Sequence, residues 1–447
     1  MITNLPFYLI FNALLLMLGV IGLRFLSQKA PLSPWFWPAL LCKCAAGLAY
    51  GSLYVFYYEN GGDTINFFLD GTRFAQLARQ SPATFLRVVF WQEYYPLEPF
   101  AVFNLWYQAR TLFFVKLVSF FCLLTNDHYW LISLYFSVFS FWGMWLLANT
   151  LARLYPSLAN AAALSLLFWP SLVFFSAGLS KESLAMGAWA WLLARMQGYL
   201  LPFPKGWLYH LASLGLLVGL SILLLELKIY YLAGLAGAVA VYVLGMNFQM
   251  VRRAHLSHLF LRGGLIVGLG LLLLGLAMRY QYLPPPARLM EALVHSHNKM
   301  YIKSKPDDLI HYSVAGGAGY ITLSTKVSNL LLNSPTALFS TLYRPFVWEH
   351  GGSRLKQVLG IENLLLLGLS GMALFRLFLG QNTALRQAGP LLWAACCYIV
   401  VLGVLMGLST PNFGTLARYR IGILPVFVFL VLAQVWPLFK RKAPSYE

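Results

Sequence analysis

Long apolar runs alternate along the chain with short polar or basic stretches. Several of these runs approach or exceed the roughly 20 apolar residues that an α-helix needs to cross a bilayer. They predict spanning helices near residues 7–26, 35–58, 129–150, 158–176, 182–201, 207–225, 229–247, 259–281, 357–378, 389–408 and 420–439. The pattern indicates an all-α polytopic membrane protein. Because one helical bundle can absorb the whole chain, we expect a single domain over residues 1–447.

One apolar region differs from the others because prolines and charges interrupt it. Residues 83–125 contain Pro96, Pro99, Arg87, Glu93, Glu98, Arg110 and Lys116. Such a region is typical of helices that lie in the membrane interface, and the alternative is that it holds one or two crossings. We predict that it belongs to a large outer loop, residues 59–127, and that residues 283–355 form a small outer cap.

Composition supports the membrane assignment. The chain is 60% hydrophobic and only 10% charged, whereas soluble proteins carry about 25% charged residues. A net charge of +18 would indicate nucleic acid in a soluble protein. Here much of the charge lies in short loops between apolar runs, where it sets topology and meets lipid head groups. We expect membrane lipids among the partners and no nucleic acid.

The basic residues also predict an orientation. Lysines and arginines in short loops favour the cytoplasmic side. They fall on one side if residues 59–127 begin and end on the other: Arg24, Lys29, Arg153, Arg195, Lys205, Arg252, Arg253, Arg376, Arg386 and the tail KRKAPSYE. This places the C-terminus in the cytoplasm and the N-terminus outside.

Two carboxylates follow the second apolar run, in the stretch YYENGGDTINFF. A carboxylate at a bilayer edge can act as general base on a hydroxyl, and the glycines before Asp63 permit unusual backbone conformations. The structural alternative is a helix C-cap with a solvated acid. Asp63 and Glu59 are therefore the candidate catalytic acids.

A second polar turn, in PSLVFFSAGLSKES, lies between two apolar runs. Ser180 can cap the following helix, and Glu182 can favour its first turn. Lys181 opposes the helix dipole there, and an anionic ligand at this helix start would resolve the conflict. Lys228, in LELKIYY, is either an interfacial anchor or a phosphate ligand.

Two arginines open the last apolar run on the predicted outer face, in LARYRIGILP. Positive-inside reasoning disfavours Arg418 and Arg420 there, so an anion should compensate them. Arginine suits bidentate binding of phosphate, and the alternative is contact with lipid head groups. Tyr419 lies between them, and Arg344, in YRPFVWEH, reaches the same predicted face.

Metal-ligand patterns are weak. The five cysteines lie in apolar runs, with CKC and CC spacings that zinc sites do not use. His295, His297 and His311 are irregularly spaced. We expect no metal and no other cofactor, and a divalent cation stays open as an alternative.

Four short motifs resemble, in their order along the chain, those of C-type (GT-C) membrane glycosyltransferases, and more closely those of multi-pass membrane proteins of Bacteroidota. They are GGDT, PSLVFFSAGLSKES, RPFVWE and RYR. The resemblance implies a bundle of about 11 to 13 transmembrane helices with interfacial helices in the first large outer loop. It also implies a bacterial inner-membrane location and an active site on the extracytoplasmic face.

The resemblance further implies sugar transfer, with inversion, from a polyprenyl-phosphate donor to a glycan, lipid or protein acceptor. Asp63 would be the general base, and Arg418 and Arg420, with Lys181 or Lys228, would bind the donor phosphate. Glu182 would orient Lys181 or a sugar hydroxyl. An extra helix precedes the acidic loop in this chain, so Glu59 could take the role of Asp63.

Two other functions remain as alternatives. A polysaccharide polymerase or ligase that uses polyprenyl-diphosphate glycans would need similar arginines. A transporter or lipid flippase would carry charged residues at mid-membrane depth and broken helices.

Overall fold

The computed structural model describes residues 5–57, 62–91, 109–200, 207–250, 288–304, 309–310, 323–349, 354–380 and 389–436. Its helices, in chain order, are α1 (Leu5–Leu26), α2 (Phe36–Ser52), α3 (Gly62–Gln80), α4 (Pro82–Leu86), α5 (Ala109–Thr125), α6 (Tyr129–Leu154), α7 (Ala159–Ala163), α8 (Pro170–Phe175), α9 (Lys181–Leu200), α10 (Trp207–Met250), α11 (Leu289–Lys303), α12 (Val327–Tyr343), α13 (Arg354–Phe378), α14 (Gly389–Ser409), α15 (Phe413–Tyr419) and α16 (Leu424–Val435). Within these ranges, extended backbone pairs only in a single bridge between Leu309 and Asn412. The all-α prediction is confirmed for this part of the chain.

In the described residues, six helices are long and apolar enough to cross a membrane. They are Pro6–Leu26, Ser33–Tyr57, Tyr129–Leu154, Leu211–Tyr242, Arg354–Phe378 and Gly389–Ser409. A further candidate is a broken span, Phe413–Gly422 followed by Leu424–Val435, with a bend of 69°. These helices confirm a polytopic membrane protein. The span predicted at 259–281 lies outside the described residues.

Breaks in the backbone divide some of the apolar runs. The single helix predicted at 158–176 is wrong, because the extended backbone at Trp169 ends one helical segment at Phe168 and α8 begins at Pro170. The two helices predicted at 207–225 and 229–247 are confirmed as separate helices, because the backbone of α10 is non-helical at Lys228, with φ −149° and ψ 70°. The last predicted helix, 420–439, instead begins at Phe413 and is broken between α15 and α16. Pro425 lies in the first turn of α16, where a missing backbone N–H costs nothing.

The first helix, α1, exposes most of its surface, since only 6% of its spanning window is buried. Its Asn12 is an exception and is fully buried. The Asn12 Nδ2 donates to Tyr8 O at 2.8 Å and to Leu124 O at 3.1 Å, and Tyr135 donates to its Oδ1 at 2.8 Å. One polar side chain thus joins α1 to α5 and α6.

Helix α3 is the amphipathic helix of the predicted outer loop. It begins at Gly62, whose φ of +55° lies in the region that glycine tolerates best. Buried residues recur on one face at helical spacing, including Thr64, Phe67, Phe74 and Ala78. That face packs against α5 so closely that a Cβ at Gly71 would lie 2.6 Å from Val118. The helix therefore fixes the positions of the residues that follow Gly62.

The described chain forms two compact units. The first unit contains Met1–Asn149, Val173–Ala194 and Leu214–Lys228, and the second contains Thr150–Leu172, Arg195–Ser213 and Ile229–Glu447. In the first unit α6 and α9 touch through glycines, because a Cβ at Gly143 would lie 2.0 Å from Gly187 O. In the second unit a Cβ at Gly407 would lie 2.3 Å from Ala337 O. Small residues allow such close helix approach in membranes.

Candidate functional site

Asp63 lies in the first turn of α3 and its side chain is exposed. It was expected in a loop, but the helix already begins at Gly62. An acid in the first turn interacts favourably with the helix dipole, which is a structural role. Exposure also leaves the carboxylate accessible to a substrate. Glu59, the other candidate acid, lies outside the described residues.

The residue after Asp63 joins α3 to the second sequence motif. Thr64 is buried, and its Oγ1 donates to Leu179 O at 2.6 Å and lies 3.0 Å from the Tyr129 hydroxyl. Leu179 belongs to SAGLSKES. The GGDT and SAGLSKES motifs, separated by more than a hundred residues in sequence, are therefore in direct contact in the first unit.

Residues 176–183, here called the 176–183 turn, are held from several sides. Gly178, at φ +70°, donates its N–H to Ser137 Oγ at 2.9 Å. Helix α2 presses against the turn through Gly47, where a Cβ would lie 3.1 Å from Gly178 N. Ser180 Oγ accepts from Ser183 N at 3.1 Å, so the predicted cap of α9 is present. Hydrogen bonds and helix packing thus hold the turn in place.

Sequence reasoning missed a buried lysine beneath this turn. Lys43 lies near the middle of the candidate span Ser33–Tyr57 and is 4% exposed. Its Nζ donates to Ser176 Oγ at 2.5 Å and to Val173 O at 3.4 Å. A cation inside an apolar predicted span is rare enough to be a signal by itself.

Lys181 is the first residue of α9 and reaches back over α3. Its Nζ donates to Thr111 Oγ1 at 2.7 Å and lies 4.8 Å from the centre of the Phe67 ring. Phe67 follows Asp63 by about one helical turn. Lys181 therefore contacts the same helix that carries Asp63.

Glu182 and Lys228 form a buried ion pair. Their charged atoms are 2.9 Å apart, and their side chains are 4% and 8% exposed. Lys228 is also the break in α10. Its interpretation as an interfacial anchor is wrong, since an anchor needs an exposed side chain, and its charge already has a partner. The pairing joins residues distant in sequence, which no local pattern predicts.

Helix α3 also carries a buried acid that sequence reasoning missed. Asp70 is 1% exposed, and its Oδ1 lies 2.8 Å from Arg73 Nη1. Burial raises the pKa of the Asp70 carboxyl, and the charge of Arg73 opposes that rise. Asp70 is enclosed by packing, whereas Asp63 is open to solvent.

The second unit contains another buried charged cluster, centred on Glu362 of α13. Its carboxylate accepts from Trp169 Nε1 at 2.6 Å, from Ser171 N at 2.8 Å and from Ser171 Oγ at 2.5 Å. Arg420 Nη2 lies 4.0 Å from Glu362 Oε1. Glu362 was passed over in the sequence, although an acid within an apolar predicted span is rare.

Arg420 is fully buried, with 0% exposure. Its Nη1 donates to Arg344 O at 3.3 Å, which brings RYR and RPFVWE into contact. Among the described residues, its Nε and Nη2 have no hydrogen-bond partner. Asn363, the neighbour of Glu362, donates to Pro345 O at 2.7 Å and binds the same segment.

Arg344 and the remaining RYR residues have partners nearby. The Arg344 guanidinium pairs with Glu349 and lies 5.3 Å from the centre of the Phe413 ring. Tyr231 donates its hydroxyl to Tyr419 O at 2.9 Å. Arg418 is half-buried in the last turn of α15. The predicted phosphate ligands of the C-terminal half therefore cluster within one unit.

The predicted cap contacts the segment that leads into this cluster. Ile310 N donates to Pro411 O at 2.7 Å, and Asn412 Nδ2 donates to Ser304 Oγ at 3.0 Å. Asn412 also caps α15 by accepting from Thr415 N. His297 Nδ1 lies 2.8 Å from Leu408 O, and burial lowers the pKa of this histidine. Described parts of residues 283–355 thus support the start of α15.

The four motifs pair two by two. Asp63, Lys181, Glu182 and Lys228 belong to the first unit, and Arg344, Arg418, Tyr419 and Arg420 to the second. The meeting of the two groups around one pocket stays a prediction. In the described ranges, no group of three or more His, Cys, Asp or Glu side chains is placed to hold a metal ion, and the independence from metals also stays a prediction.

No family model, curated protein or solved structure matches this chain.

Proposed function

We propose that the protein is an integral membrane glycosyltransferase of the C type, with about 11 to 13 spanning helices, that transfers a sugar from a polyprenyl phosphate to a hydroxyl acceptor. The observation that carries this proposal is the hydrogen bond from Thr64 to Leu179 O at 2.6 Å. It joins the first turn of α3, which carries the exposed carboxylate of Asp63, to the 176–183 turn, which carries Lys181. An accessible carboxylate can serve as the general base that acceptor activation requires.

In this reaction the acceptor hydroxyl attacks the anomeric carbon of the sugar. The Asp63 carboxylate takes the hydroxyl proton as the new carbon–oxygen bond forms. The bond from the anomeric carbon to the phosphate oxygen breaks, and the polyprenyl phosphate leaves with the electron pair. General-base help of this kind contributes about 10²- to 10⁴-fold in rate.

The leaving phosphate needs a cation, and the candidates for this role are Arg344 and Arg420. Arg420 has donors to spare, whereas Arg344 is paired with Glu349. Donors fixed before the reaction stabilise a developing anion without reorganisation. Lys228 contributes less, because Glu182 neutralises it.

The proposal is tested with Asp63→Asn in the purified full-length protein. Replacing the base by an isosteric amide should lower transfer from a panel of isoprenyl-phosphate sugars by about 10²-fold or more, with little change in folding. Product formation with a membrane-lipid or glycan acceptor is the measurement.

Asp70→Asn is the matched control, since it makes the same change on the same helix at a buried acid. It should retain most of the transfer activity. Equal activity of Asp63→Asn and the wild-type protein would remove Asp63 from the mechanism.

A lipid transporter is the second candidate, because Lys43 lies near the middle of a candidate span and two spans are broken. Purified protein that moves isoprenyl-phosphate lipids across vesicles without transferring sugar would favour this function.

A further inference from the structure

Arg420 and Glu362 are buried together, but Glu362 accepts more hydrogen bonds than Arg420 donates. The three hydrogen bonds to Glu362 come from neutral donors, on Trp169 and Ser171. The 4.0 Å separation from Arg420 Nη2 is too long for a hydrogen bond. Glu362 therefore offsets the charge of Arg420 without satisfying its donors.

The two Arg420 nitrogens that lack partners are a matched pair. Nε and Nη2 lie on the same edge of the planar guanidinium, and together they form the fork that binds an oxyanion in bidentate fashion. A buried guanidinium with unused donors is costly. The unused edge indicates a ligand with two oxygens spaced as in phosphate.

We propose that Arg420 Nε and Nη2 bind a phosphate group, and that Glu362 is the internal counter-ion that limits how tightly it binds. This inference deepens the proposed function and rests on it for the choice of phosphate. Without ligand, Glu362 keeps the buried guanidinium neutralised. When phosphate binds, its negative charge meets Glu362 as well as Arg420. Because Arg420 is fully buried, binding requires the covering side chains to move.

Glu362→Gln is the decisive variant. The amide keeps an oxygen that can accept from Trp169, but it removes the negative charge beside Arg420. An opposite or like charge at this distance changes an ionic equilibrium by about tenfold or more. Glu362→Gln should therefore bind farnesyl phosphate about tenfold more tightly than the wild-type protein.

The measurement is titration of the purified full-length protein in nanodiscs, followed by calorimetry and by thermal unfolding. Farnesyl phosphate and inorganic phosphate are titrated separately. If Glu362→Gln binds only farnesyl phosphate more tightly, the ligand of the site is a lipid-linked phosphate. If it binds farnesyl phosphate and inorganic phosphate more tightly to the same extent, the site is supported and its ligand is a free anion. Glu291→Gln, at an exposed acid of the same unit, is the control and should leave affinity unchanged.

An unchanged or weaker affinity in folded Glu362→Gln would overturn the inference. If that variant does not fold, Arg420→Lys provides the second test, because it keeps the charge and loses the fork. It should bind farnesyl phosphate at least about tenfold more weakly, and unchanged binding would overturn the inference. Neither titration measures sugar transfer, so absent transfer with these affinity changes would reject the proposed function alone.

Discussion

At the scale of residues, Lys43 is a buried cation with only uncharged hydrogen-bond acceptors. Its two acceptors are Ser176 Oγ and Val173 O, and among the described residues no carboxylate forms an ion pair with it. An ammonium buried without a counter-ion costs several kcal/mol. Proteins keep such costly groups where function uses them, and Lys43 lies directly beneath the 176–183 turn.

Lys43→Met should therefore raise the stability of the fold and lower the activity of the protein. Methionine fills a similar volume without a charge, and it removes a desolvation cost of several kcal/mol for the buried ion. We expect a higher unfolding temperature in detergent and weaker sugar transfer. Lys116→Met is the matched control, since Glu226 interacts electrostatically with Lys116 and would lose that charge. The control should lower the unfolding temperature; a decrease in Lys43→Met as well would contradict the argument.

At the scale of elements, small residues decide how closely helices approach. Gly143 and Gly187 bring α6 and α9 together where no other side chain fits. Neighbouring glycines on α1 have open space around them, since a Cβ at Gly19 or Gly22 meets nothing within 4 Å. The same residue type is thus a packing requirement in one helix and neutral in another.

Gly143→Ala should destabilise the protein, because its Cβ would lie 2.0 Å from the backbone oxygen of Gly187. A backbone atom cannot relieve this clash by changing rotamer, as a side chain could. Overpacking of this kind costs about 1–3 kcal/mol. Gly22→Ala, with the same change in a helix of open surroundings, should be neutral or slightly stabilising. Equal thermal unfolding temperatures for the two variants would contradict the packing argument.

Elements were predictable where the signal was local. Apolar runs placed most spanning helices within a few residues, and Ser180 was identified as a cap. The break at Lys228 was also predictable, because the polar stretch around Glu226 and Lys228 separates two apolar runs. Glu362 and Lys43 could have been found as charges within apolar runs, but their partners could not, because folding brings them together from distant parts of the sequence.

At the scale of the whole molecule, the orientation in the membrane remains a prediction from charge. The rule places α3 and Asp63 outside the cytoplasm and the short loop at Arg153 inside it. Gln76, exposed on α3, and Arg153, exposed at the end of α6, are suitable reporters of the two sides.

A variant without the five native cysteines provides the background for single cysteines. Gln76→Cys should react with a membrane-impermeant maleimide in intact cells. Arg153→Cys should react only after the membrane is permeabilised, and it is the control for cell integrity. Labelling in the reverse order would place Asp63 on the cytoplasmic side and contradict the predicted orientation.

The hydrogen bonds of Asn12 have a consequence for biosynthesis. Asn12 is synthesised 112 residues before Leu124 and 123 residues before Tyr135, so its amide lacks both of these partners while the intervening chain is made. The bond to Tyr8 O, one turn back in the same helix, gives the amide a partner during that interval. A helix that enters the bilayer early can thus keep the amide of a buried asparagine hydrogen-bonded within the helix until the later helices provide its final partners.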